Sequence, residues 1–158
     1  MPKFVEPQPP MDGRQSETAL LVARGTRRLL RALGFASVVE LALPSGRRAD
    51  IVGLGADGTI VIVEIKSSLA DFRADAKWPD YRAHSDRLYF AVLDGFPIDI
   101  IPDDAGLIVT DGYEASILRE AQLHRLAPAT RRSLIMRFAQ TAADRLHNLS
   151  DPEIMQRL

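Results

Sequence analysis

Glu64 and Lys66 lie two residues apart at the end of the apolar stretch "TIVIVEIK" (59–66). On an extended chain both side chains share the face that carries Ile60 and Ile62. Of the 20 basic residues only three are lysines, Lys3, Lys66 and Lys77, so an amine inside an apolar strand points to a task that a guanidinium does less well. A compact ammonium whose pKa can fall on desolvation suits work on an attacking water or a phosphate oxygen. Two carboxylates lie upstream on neighbouring stretches: Asp50 in "RADIVGL" (48–54) and Glu40 in "SVVELAL" (37–43).

The loops between these stretches set the register. "PSG" (44–46) and "ADG" (56–58) each end in a glycine suited to a left-handed position, the mark of a three-residue loop closing on a bulge. Leu43 then faces Arg47 and Gly55 faces Thr59. Counting back sets Glu40 opposite Asp50, and Asp50 opposite Glu64. Three carboxylates about 4.5–5.5 Å apart at Cβ repel one another unless a proton or cation intervenes. Mg²⁺, with Mn²⁺ as a substitute, is the expected partner, since it takes a few carboxylates and keeps several waters. We expect Asp50, Glu64 and Lys66 to be catalytic, and Asp50, Glu64 and Glu40 to hold the metal. A loop one residue shorter would send a carboxylate to the opposite face and dissolve the row. A Glu-x-Lys pair by itself is often just a solvated ion pair.

The elements that position these residues follow from periodicity. "SETALLVARGTRRLLRALGF" predicts a helix from Ser16 to Gly34, with Ala19, Val22, Thr26, Leu29, Leu30 and Leu33 on one stripe and Arg24, Arg27, Arg28 and Arg31 opposite. The arginines are either a solvated face or a phosphate-binding ridge. Three strands follow (37–43, 48–54, 59–66), then a helix opened by a Ser68/Asp71 capping box and closed by Pro79. Next come a strand at 87–93, a turn-rich stretch, a hairpin of "LIVT" and "ASILR" around Asp111-Gly112, and a final amphipathic helix from Pro128. This order predicts an α/β fold with a mixed sheet, an antiparallel meander joined by a helical crossover to a further strand. We expect one domain over 12–150, with tails at 1–11 and 151–158.

Composition narrows the function classes. The chain has 158 residues, no cysteine and a formal net charge of -1, so thiolate metal sites are excluded and any nucleic-acid contact must rest on local patches. No apolar run approaches the roughly 18 residues of a membrane span, and the Pro-rich start lacks the apolar core of a signal peptide. A cytoplasmic location is expected.

An acidic residue, a hairpin and Glu-x-Lys on the next strand, within an αβββαβ order, resemble the PD-(D/E)xK nuclease superfamily and its restriction-endonuclease-like core. No proline precedes Asp50 here. More specifically, "RADIVGL", "VEIKSSLADFRADAKWPDY", "DRLYFAV" and "PDDAGLIVTD" are similar to the MmcB family of DNA-repair endonucleases, and the resemblance covers most of residues 20 to 147. It implies Mg²⁺-dependent hydrolysis of DNA phosphodiesters at Asp50, Glu64 and Lys66. Lys77 would grip a phosphate, Trp78 and Tyr81 would offer faces to an unstacked base, and Arg48 would add a nucleic-acid contact. The same aromatics read more readily as core plugs against the sheet. DNA is the expected partner, alongside a second copy of the chain or a repair protein. The alternatives are a non-catalytic nucleic-acid-binding or docking module that keeps the fold, and an enzyme acting on RNA.

Overall fold

Residues 17–74 and 78–153 are described by the computed structural model. The elements are α1 (Glu17–Ala32), β1 (Phe35–Ala42), β2 (Arg48–Gly55), β3 (Ile60–Lys66), α2 (Leu69–Ala74), β4 (Arg87–Leu93), β5 (Gly106–Thr110), β6 (Ala115–Arg119) and α3 (Pro128–Ser150), with 3₁₀ turns at Trp78–His84 and Ile98–Ile100. The six strands form one sheet in chain order, β1-β2-β3-β4-β5-β6. Pairings β1/β2, β2/β3 and β5/β6 are antiparallel, and β3/β4 and β4/β5 are parallel. The mixed α/β sheet is as expected, and the hairpin proves to be the sheet's outer margin. A second parallel crossover, residues 94–105, carries only a single 3₁₀ turn.

Both register-setting loops close as their sequences predict. Leu43 N–H donates to the Arg47 carbonyl at 2.8 Å and Gly55 N–H to Thr59 at 2.9 Å, with Gly46 and Gly58 at φ of 84° and 86°. Only glycine takes that backbone conformation without a Cβ penalty, so the two glycines fix the register of everything between them.

The central strands are apolar on both faces because the sheet is covered on both sides. Val52, Ile60, Ile62 and Leu88 pack with Leu134 and Phe138 of α3. Ile51, Val61, Val63 and Ala91 pack with Val22 and Leu30 of α1. A third cluster, centred on Phe90, Val92, Ile101 and Leu107, lies under Phe72 of α2. Two expectations are corrected. Leu33, placed on the buried stripe of α1, is 52% exposed, because the helix ends at Ala32 and the chain turns away into β1. Pro79 does not end the helical stretch: it sits within the 3₁₀ turn Trp78–His84, where the fixed φ of proline is tolerated in the first turn, and positions 75–77 of the expected helix lie outside the described residues.

Asp86 ties these layers together. Its Oδ2 accepts from Ile60 N–H at 2.8 Å and from Arg131 Nη1 at 2.6 Å, and its Oδ1 accepts from Arg131 Nη2 at 2.8 Å and Leu126 N–H at 3.0 Å. Arg131 also donates to the Gly58 carbonyl. One carboxylate thus joins the start of β3, the turn before it and the entry to α3.

Candidate active site and nucleic-acid contacts

The backbone pairing of β2 with β3 runs from Leu54–Ile60 to Ile51–Val63. Just beyond it stand Asp50 and Glu64, and their side chains take over as acceptors. Asp50 N–H donates to Glu64 Oε1 at 3.1 Å, and Ile65 N–H donates to Asp50 Oδ2 at 2.8 Å. Each carboxylate is therefore held by the other's strand, with neither left to swing in solvent.

Glu64 is 3% exposed and Lys66 4%, which sets aside the solvated-pair reading. On β4 they face Phe90 and Val92, so the polar pair projects into an apolar surround. Burial, and then the Asp50 charge, push the Glu64 carboxyl up to about 10, although the Asp50 amide and the Lys66 ammonium pull the other way. Fully ionised, the Asp50/Glu64 pair carries more negative charge than its surroundings neutralise. A divalent cation fits that donor set, because a carboxylate has about four lone-pair positions and one backbone bond does not exhaust them.

Glu40 departs from the expected row. Its register is right, flanked by the pairs Val39–Ile51 and Leu41–Ala49, yet its φ is 51°. This left-handed residue kinks the edge strand, so that Val38 and Leu41, three apart, enter the same core cluster. The Glu40 carboxylate lies 3.7 Å from Arg48, and its carbonyl accepts from Arg145. Among the described residues no three His, Cys, Asp or Glu side chains are grouped to hold a metal. The row of three is thus a pair with a neighbour turned toward Arg48.

The expected nucleic-acid contacts fare unevenly. Tyr81 is a core residue, 9% exposed among Ile60, Leu88 and Leu134, with its hydroxyl donating to the Arg48 carbonyl at 3.2 Å. The base-stacking role is corrected accordingly, since no ring face is left for a base. Arg48 is exposed at the head of β2. Lys77 and the Trp78 side chain lie outside the described residues. Asp86 was passed over in the sequence, where its only signal is a charge directly before an apolar strand. The histidines stay away from the carboxylate pair: His84 lies by Asp80 and His147 by Asp151.

The profile of the MmcB-like DNA repair proteins matches residues 6–153. The chain belongs to this family. It is also similar to a solved structure, a protein of unknown function from Silicibacter pomeroyi, at 49% identity and a TM-score of 0.81, over 84% of this chain and 90% of that one. No curated protein matches. Membership of the MmcB-like family brings a DNA repair role to the chain. No helix among the described residues is long and apolar enough to cross a membrane.

Proposed function

We propose that this MmcB-like protein is a divalent-metal-dependent DNA endonuclease acting in repair, with Asp50, Glu64 and Lys66 as its catalytic residues. The observation that carries the reading is a buried lysine two residues from a buried glutamate, with the backbone amide of an aspartate on the neighbouring strand donating to that glutamate. Structural economy does not explain two ionisable groups sunk at a strand end, where burial alone costs several kcal/mol per uncompensated charge.

Asp50 and Glu64 would hold the cation, Mg²⁺ or Mn²⁺. Glu40, turned to Arg48, is given no direct ligand role. The chemistry a bound cation supplies is water activation and neutralisation of charge on the phosphoryl group. Lys66, desolvated beside them, would orient the attacking water and stabilise the negative charge that gathers on the phosphate oxygens as the P–O bond breaks. Overall, one water adds across one phosphodiester bond and leaves a phosphate and a hydroxyl. Asp50 and Glu64 are locked by backbone amides, so the site needs little rearrangement before reaction.

The test is purified full-length protein on labelled single-stranded, nicked, branched and duplex DNA, with Mg²⁺, Mn²⁺ or EDTA. Cleavage of at least one form with either metal and none in EDTA is the expected result. No cleavage of any form by protein shown to be folded would remove the enzyme and leave a DNA-binding repair module.

A further inference from the structure

Four arginines of α1, at positions 24, 27, 28 and 31, line one cleft of about 910 Å³ between that helix and the edge strand β1, and among the described residues no carboxylate shares the lining. We infer that this cleft is a groove for a single nucleic-acid strand. The inference deepens the proposed function by naming where DNA is held, and it does not depend on the chemistry at Asp50 and Glu64.

The arginines recur at i, i+3, i+4 and i+7 and span about 10.5 Å along the helix axis. At about 3.4 Å per nucleotide along a stacked strand, that span covers about three nucleotide steps. Arg27, Arg28 and Arg31 are exposed, and among the described residues none of the four pairs with an acidic side chain. Arg27 Nε instead donates to Ser37 Oγ at 3.0 Å, and Arg24 Nε to the Gly112 carbonyl at 2.7 Å, which sets the guanidinium planes without neutralising them. Asp111 is an acidic group within electrostatic reach of Arg24, and its carboxylate is taken up by the amides of Tyr113 and Glu114. In a chain of net charge -1, this is a concentration of positive charge that the fold keeps available.

Two further observations favour a single nucleic-acid strand, the first over an acidic peptide and the second over a duplex. The tip of the β5–β6 hairpin places Tyr113, 60% exposed, beneath the guanidiniums of Arg24 and Arg28, at 4.0 and 5.4 Å from its ring centroid. An exposed ring interleaved with arginines is the arrangement on which unstacked bases rest. The cleft also has an apolar floor that includes Leu20, Phe35 and Val39. Bases and sugars of a single strand would cover it, whereas a duplex keeps its bases inside.

The experiment is fluorescence anisotropy of a labelled twelve-nucleotide single strand with the full chain in EDTA, so that cleavage plays no part, over a series of salt concentrations. The double variant Arg28→Glu/Arg31→Glu should weaken binding at least tenfold and lower the salt slope by about 1.4, two contacts at about 0.7 each. Arg31→Ala, which removes no hydrogen bond or ion pair among the described residues, should weaken binding measurably and thereby guards against misfolding of the double variant. Tyr113→Ala should weaken binding several-fold with the salt slope unchanged. The charge-matched control Arg125→Glu/Arg132→Glu should bind like wild type. An unaltered affinity and slope in the Arg28/Arg31 variant, equal loss in the control, or displacement of DNA by polyglutamate at equal charge concentration would each overturn the groove. Arginine-dependent binding without any metal-dependent cleavage would sink the nuclease and leave the groove. Cleavage with binding that ignores these arginines would do the reverse.

Discussion

Asp50 and Glu64 each borrow a hydrogen bond from the other's strand: the Asp50 amide donates to Glu64 Oε1, and the amide following Glu64 donates to Asp50 Oδ2. The arrangement replaces ladder bonds where β2 and β3 part, and it fixes two carboxyl groups side by side at the carboxyl end of β3. Lys66 stands on the same face, equally buried.

Substitution of this group should separate chemistry from folding. Lys66→Ala and Asp50→Asn are each expected to reduce metal-dependent DNA cleavage by roughly 10³-fold or more, while circular dichroism and the melting transition show a folded protein. Wild-type-like turnover by either variant would disprove the assignment.

The raised Glu64 carboxyl makes a pH prediction for protein stripped of divalent ions. Its folded pKa of about 10 lies above the unfolded value of 4.5, so the folded state holds the extra proton and is stabilised by it. That contribution is complete below the unfolded value and drains away as pH rises toward the folded one. Chemical denaturation in EDTA should show stability declining between pH 6 and 9, with a flatter profile for Glu64→Gln. Added Mg²⁺ should stabilise wild type more at pH 8.5 than at pH 6, because the ion competes with the proton. Parallel pH profiles for wild type and Glu64→Gln would contradict this.

Asp86 works in the opposite sense. Burial opposes its charge, but the Arg131 guanidinium and the Ile60 and Leu126 amides prevail and hold it below the usual carboxylate range. Its contribution is therefore present above the unfolded value of 3.8 and is lost as pH falls through the folded one. Arg131→Met leaves that buried carboxylate uncompensated and should cost about 3 kcal/mol in urea denaturation. A loss under 1 kcal/mol would show that the pair is incidental.

Gly25 on α1 seats the helix on β5. A Cβ there would clash with Thr110 Oγ1, so Gly25→Ala should lower the melting temperature, at a cost of about 2 kcal/mol. Adding Thr110→Ala removes the clashing oxygen, and the double variant should be less destabilised than the two single effects summed. Strict additivity would mean that the close approach is relieved elsewhere.

Tyr81 offers a check on the corrected contact. Tyr81→Ala should destabilise the protein by about 3–5 kcal/mol, as large-to-small core changes do. Tyr81→Phe should leave single-strand affinity unchanged. Weaker binding by a fully stable Tyr81→Phe would restore a nucleic-acid role for the hydroxyl.

The sequence by itself determined the register. Pro-Ser-Gly and Ala-Asp-Gly are local codes, each satisfied by three residues and one left-handed glycine, and from them the alignment of Asp50 with Glu64 follows by counting. The strands around Ile62 and Phe90 were equally legible, because period and apolarity are properties of the chain. What the tertiary structure decided is whatever depends on residues distant in sequence. The left-handed turn at Glu40 arises where the edge strand bends over the core beneath α3, so no local pattern marks it. Tyr81 lies in the core because the segment after α2 folds back onto β3. Tyr113 meets Arg24 only because α1 and the β5–β6 hairpin converge across the sheet, 89 positions apart in the chain. Turn chemistry is written in neighbours, whereas burial and charge pairing belong to whichever surfaces the finished sheet brings together.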